Sequence, residues 1–167
     1  MSTINANYRF ALPSDTTIVQ IPAKPGVAIS SGDAVFYDSV NNWVVPQDSV
    51  VAGINDTLAN SGVSFAGIAL AAVVAADVTG GFPAYPNIQS ISIASDAIYL
   101  ANISSTNLVS IGSTVAFTVG AIQTVQLNNV VNEISGYVVS DYNGQVVNQI
   151  RVRTVGKFSP YKYAKYA

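Results

Sequence analysis

Short runs of β-branched and aromatic residues, broken every few positions by Gly, Asn, Pro or Ser, dominate this chain. That texture predicts strands and turns. No long stretch carries a 3.6-residue apolar period, so amphipathic helices are not expected. Ile18 to Ile21 and Val27 to Ile29 read as short strands, with Pro22 and Pro25 suited to edges and turns. Ser31-Gly32-Asp33 turns the chain into Ala34-Val35-Phe36-Tyr37, and Asn41-Asn42 turns it into Trp43-Val44-Val45. Residues 46–64 and 79–87 hold Gly, Pro, Asn and Asp and read as irregular connections. Phe65 to Val74 is a continuous apolar run; periodicity does not separate strand from helix there, and its neighbours and Gly67 favour strand. Ile91/Ile93 and Ile98/Leu100 alternate with smaller or polar residues, as half-buried strands do.

Two hairpins are expected. Between Val115 and Leu127, a two-residue loop would place Phe117 opposite Thr124 and split the apolar faces. A three-residue loop, Gly120 to Ile122, pairs Phe117 with Val125 and Val115 with Leu127, so that register is preferred. The second hairpin is centred on Asn143-Gly144, a strong two-residue turn signal. It sets Tyr137 opposite Ile150 and leaves Arg151 and Arg153 on the face away from Ile150 and Val152. An internal echo links Ser31–Phe36 to Ile111–Phe117 and Ala66–Ala69 to Ser135–Val138. The intervals differ, which excludes a solenoid period and leaves two related halves or chance recurrence. The expected fold is all-β, a compact antiparallel β-barrel or sandwich over residues 1–156, with an irregular Tyr/Lys-rich C-terminal tail over 157–167.

Composition adds a constraint. Of 167 residues 50% are hydrophobic but only 10% are charged, against roughly 25% in an average soluble domain. Either the surface is dressed in uncharged polar residues, or much of it is covered by partners or further copies. Between Lys24 and Arg151 every charged residue is acidic: Asp33, Asp38, Asp48, Asp56, Asp77, Asp96, Glu133 and Asp141. Such a body argues against nucleic-acid binding, which requires cations against phosphate. No charged leader followed by an apolar core is visible at the N-terminus, and the longest apolar run is shorter than the about 20 residues a spanning helix needs.

The chemistry is sparse. Histidine and cysteine are absent, which removes the usual general base, nucleophilic dyads and thiolate metal sites. Gly80-Gly81 is not followed by the Lys or helix of a phosphate cradle. Asp141-x-Asn143-Gly144 begins like a calcium loop but lacks the remaining ligands. Nearly every carboxylate adjoins Gly, Ser or Asn, where Asp serves the backbone of a turn. No enzyme, cofactor or metal is therefore expected. The C-terminal segment departs from the rest, because Tyr and Lys interleave there. Lys157, Phe158, Tyr161, Lys162, Tyr163, Lys165 and Tyr166 form a candidate partner-binding tail for an acidic neighbour, another copy of this acidic body among the candidates.

Pro25-Gly26-Val27-Ala28-Ile29-Ser30-Ser31-Gly32-Asp33-Ala34-Val35, followed by Phe65-Ala66-Gly67-Ile68-Ala69, resembles tailed-phage capsid decoration (cement) proteins. Those small β-rich proteins carry a Gly-Asp-x-Val turn and a later Gly-Ile-Ala strand. The resemblance covers residues 25–75, with a looser echo over 110–155. It implies a homo-oligomer, a trimer by preference, made in the host cytoplasm and seated on the capsid exterior. Its partner would be the major capsid protein, braced against internal DNA pressure. The same turn resembles that of lipoyl-type domains, but no lysine stands at a hairpin tip. A small shell-forming coat protein and a carbohydrate-binding β module, with Tyr37, Trp43 or Tyr85 in a groove, are the alternatives.

Overall fold

A computed structural model describes residues 10–13, 15–47, 63–73, 89–103, 108–117, 124–127, 136–140 and 148–160. The strands in chain order are β1 (Phe10–Ala11), β2 (Ile18–Pro22), β3 (Ala34–Asp38), β4 (Trp43–Pro46), β5 (Val63–Ala69), β6 (Ser90–Ala94), β7 (Ile98–Ile103), β8 (Thr114–Phe117), β9 (Thr124–Leu127), β10 (Gly136–Val138) and β11 (Gln149–Thr154). The protein is all-β, as its punctuation predicts. One sheet has the order β2-β6-β5-β3-β4, and the other has β1-β7-β11-β10-β8-β9. A parallel pairing of β7 with β9 closes the second sheet into a five-stranded barrel, to which β1 is appended. The first sheet curls the same way: just beyond β2, Ala23 forms a parallel bridge with Val44 of β4.

The two sheets repeat one topology. Replacing β2, β6, β5, β3 and β4 by β7, β11, β10, β8 and β9 converts one strand order into the other. The echo in the sequence is thus a structural repeat, and its local geometry recurs. Gly32 and Gly112 occupy the left-handed region at φ 89° and 83° in the turns entering β3 and β8, where a side chain is disfavoured. Gly32 N–H donates to the Ala69 carbonyl at 2.8 Å, and Gly112 N–H to that of Val138 at 2.9 Å. Val35 then pairs with Gly67, and Val115 with Gly136. At both glycines the next strand passes too close for a side chain: an added Cβ would lie 2.2 Å from the Ala94 carbonyl oxygen or 2.4 Å from that of Arg153.

The first sheet is buried on both faces. Val35, Val44, Ala66, Ala69, Ile91 and Ile93, with Ile21, Ala23 and Ile29, form its own core. The opposite side chains Ala34, Phe36, Val45, Phe65, Ile68 and Ala94 join the barrel interior of Tyr99, Ala101, Val115, Phe117, Val125, Val138, Ile150 and Val152. Phe65 stacks on Phe117 with ring centroids 4.8 Å apart, and Phe36 meets Phe65 edge-on at 5.8 Å. Polar bonds reinforce this junction: Tyr99 O–H donates to the Gly32 carbonyl and Gln47 Nε2–H to that of Thr124, each at 3.1 Å. The shared core makes the halves one packing unit.

Three local expectations are corrected. Val27 to Ile29 is not a strand; Ile29 alone bridges Val73 after the Pro25-Gly26 turn. In β7 the buried side chains are Tyr99, Ala101 and Ile103 rather than Ile98 and Leu100, because this face turns into the barrel interior, where Tyr99 meets Phe117 edge-on at 5.7 Å. Tyr137 pairs with Arg153, three residues from the Ile150 expected across Asn143-Gly144. The observed register sets Val138 against Val152 inside and Tyr137 outside, which keeps the apolar side chains on the buried face. The Asn143-Gly144 turn itself lies outside the described residues. The β8–β9 register is the one expected, with Phe117 opposite Val125 and Val115 opposite Leu127.

Candidate functional site

The described part of the C-terminal segment is a strap laid across the first half. After β11 leaves the barrel, Gly156 N–H donates to the Ser95 carbonyl at 2.6 Å and Lys157 N–H to the Phe65 carbonyl at 2.8 Å. Phe158 N–H donates to Ser95 Oγ at 3.1 Å, while that hydroxyl donates to the Ala66 carbonyl at 3.0 Å. The path is tight, for a Cβ at Gly156 would fall 1.9 Å from the Ala66 oxygen. Phe158 packs against the first core and meets Tyr37 edge-on at 5.4 Å. Lys157 Nζ stands 5.5 Å from the Tyr37 ring centroid, within cation–π range. Of the seven tail residues singled out in the sequence, the structure thus brings Lys157 and Phe158 together at the end of β3. Tyr161, Lys162, Tyr163, Lys165 and Tyr166 lie outside the described residues.

An ionic joint missed by sequence reasoning lies where the chain passes from β6 to β7. Asp96 is 1% exposed, accepts the Thr17 N–H at 2.7 Å through Oδ1, and places Oδ2 3.7 Å from the Arg153 guanidinium. Arg153 also bonds Asp15 at 3.2 Å. This ties the entry to β2 to the last strand of the barrel. No motif announces it, since the three residues are scattered along the chain.

The other described carboxylates serve turns. Asp33 Oδ2 accepts the Ser30 N–H at 2.7 Å. Asp38 accepts from the N–H groups of Val40 and Asn41 and from the Asn41 amide side chain. Burial raises the Asp38 carboxyl, but the Asn41 and Val40 bonds and the Lys24 charge outweigh it and hold the group below its ordinary value. Among the described residues no cluster of three or more potential ligands is placed to hold a metal ion. Nor is any described helix long and apolar enough to cross a membrane. Of the aromatics considered for a sugar groove, Tyr37 donates to Asn42 Oδ1 at 2.8 Å and is covered by Phe158. Trp43 packs on the shared core, and Tyr85 lies outside the described residues.

Among the described residues the barrel exterior is largely polar and sparsely charged. The outward side of β11 carries Gln149 and Arg151, with Tyr137 of β10 and Gln126 of β9 on the same barrel exterior. Exposed apolar residues stand at turns and edges: Val40 at the β3–β4 tip, Leu108 and Ile111 before β8, and Ile18 at the start of β2. Comparison with protein-family models and with curated proteins finds no match.

Proposed function

We propose that this chain is a structural protein of a tailed-phage virion, a decoration (cement) protein. It binds the outer surface of the major capsid protein lattice as a homo-oligomer, a trimer by preference, and braces the shell; it is not an enzyme. The supporting observation is the role of the residues that carry the family resemblance. Gly32-Asp33-Ala34-Val35 and Gly67-Ile68-Ala69 form one joint, with Gly32 N–H on Ala69, Ala69 N–H on the Asp33 carbonyl, and Val35 opposite Gly67. Ser113 and Val138 repeat that joint in the second half. The shared motif therefore specifies the architecture instead of a pocket, as suits a brace. The low charge and the engagement of each described carboxylate in turn or junction bonds fit the same reading.

Co-sedimentation tests it. Purified protein mixed with assembled shells of its source phage should pellet with them at a fixed stoichiometry per capsid subunit. Protein that stays in the supernatant at saturating shell concentration overturns the proposal.

A further inference from the structure

The turn between β3 and β4 holds an apolar side chain out in solvent and fixes it there. Val40 is 79% exposed, the most of any large hydrophobic side chain among the described residues. Its N–H donates to Asp38 Oδ1 at 2.9 Å, and the Asn41 side chain donates to Asp38 Oδ2 at 2.7 Å. Asn42 N–H returns to the Asp38 carbonyl at 2.8 Å, and Tyr37 O–H donates to Asn42 Oδ1 at the same distance. Asn42 takes the left-handed conformation at φ 59°, which Asn tolerates better than most residues. A tip bonded at this many points is a preformed knob, with little conformational freedom left to lose on binding. It presents an isopropyl group beside a carboxylate.

A surface with the complementary chemistry lies on the other half of the chain. Arg151 of β11 is exposed and stands directly opposite the half-buried Leu100 of β7. Their neighbours Tyr99, Ala101, Ile150 and Val152 point into the barrel, so Arg151 and Leu100 share its outward face. Beyond them Arg153, held by Asp15 and Asp96, pairs with the outward Tyr137 of β10. Arg and Tyr around an aliphatic side chain are the residue types enriched at the centres of interfaces. The halves repeat one topology yet differ in charge. The first carries Asp15, Asp33, Asp38, Asp48, Asp56 and Asp77 against Lys24 alone, while the second, as far as Val155, balances Glu133 and Asp141 with Arg151 and Arg153. Two copies therefore repel with their acidic halves together and are steered toward contacts between unlike halves.

We infer that the β3–β4 tip of one copy seats on the barrel exterior of the next, Val40 against Leu100 and the Asp38 carboxylate toward Arg151. The exposure of Val40 means that its own barrel does not receive it, so the receiving face belongs to a second copy. The contact is head-to-tail, because a tip meets a face and every copy keeps one of each to offer. Contacts of this kind close into rings when the rotation between copies permits. A short tip is small against the roughly 1,200–2,000 Å² of a stable interface. Each contact is therefore weak alone and gains from ring closure, or from a lattice that holds copies side by side. The inference specifies the self-contact of the homo-oligomer in the decoration reading and rests on that part of it.

Sedimentation velocity on the full chain, without capsids, tests this across rising protein concentration and two salt levels. The native chain should associate as concentration rises, and less so in about 1 M salt, where the screening length falls to about 3 Å. Arg151→Glu and Val40→Arg should each weaken association by about tenfold or more. Both positions are exposed, so the circular dichroism and melting temperature of each variant should stay native. Mixed in equal amounts, the two variants should associate again, because the intact tip of one meets the intact face of the other. A native oligomer that survives either substitution, or a mixture that stays dissociated, overturns the head-to-tail contact and leaves the homo-oligomer standing. A native chain that is monomeric at every concentration overturns the contact and the homo-oligomer together. Binding to shells is read by co-sedimentation, so neither result decides the other.

Discussion

Phe65→Ala probes the junction on which the single packing unit depends. Phe65 is fully buried on β5, stacked on Phe117 of the barrel and edge-on to Phe36 of its own sheet. Phe-to-Ala truncation in a core costs about 3–5 kcal/mol through lost transfer energy and the cavity left behind. The aromatic pairing adds about 0.5–1.5 kcal/mol beyond burial. Against a typical stability of about 5–15 kcal/mol, that is a large share. A loss of about 4 kcal/mol lowers Tm by roughly 8–16 °C for a chain of this size. Urea denaturation followed by Trp43 fluorescence suits the purpose, since Trp43 is the only tryptophan and packs on the shared core. The native chain should unfold in one transition, and the variant should keep its slope and lose midpoint. A double-mutant cycle with Phe117→Ala should give a coupling of about 1 kcal/mol. A cost below about 1 kcal/mol, or separate transitions for the two halves in the native chain, refutes the shared core.

Three further outcomes follow from the geometry. Gly156→Ala forces a Cβ against the Ala66 backbone and should cost about 1–3 kcal/mol by thermal denaturation, with increased exchange at the Lys157 and Phe158 amides. Asp96→Ala strands the Thr17 N–H and removes a buried partner of Arg153, so a loss of about 1–3 kcal/mol is expected in urea. Asp38, held below its ordinary value, contributes stability that is full above the unfolded value near 3.8 and is lost as pH falls through the lower folded value. An NMR titration of the β3–β4 turn should show Val40 and Asn41 amide shifts moving at a pH below 3.8, and Asp38→Asn should remove that titration.

The parts of this fold legible in the sequence are those where one buried face dictates the answer. Val115, Phe117, Val125 and Leu127 admit one register that keeps apolar side chains together, and the structure has it. Sequence alone misplaces the β10–β11 register because Asn143-Gly144 is a strong local signal, whereas Val138 against Val152 is a tertiary demand. β7 is ambiguous because both its faces are largely apolar, and only the barrel interior selects Tyr99 and Ala101. The repeat was audible in Gly32, Gly67, Gly112 and Gly136, yet the unequal spacing of these glycines hid it. Of the tail, the Tyr/Lys-interleaved residues from Tyr161 on lie outside the described residues. That Phe158 would contact its own chain was not legible, since it depends on Ser95 and Ala66 being brought alongside β11.

If the chain braces a capsid lattice as proposed, the heat stability of the particles depends on it. Phage particles lacking this protein should release their DNA at a lower temperature than native ones, and adding the purified chain should restore the native release temperature. Identical release temperatures with and without a bound, saturating complement of the protein would contradict it.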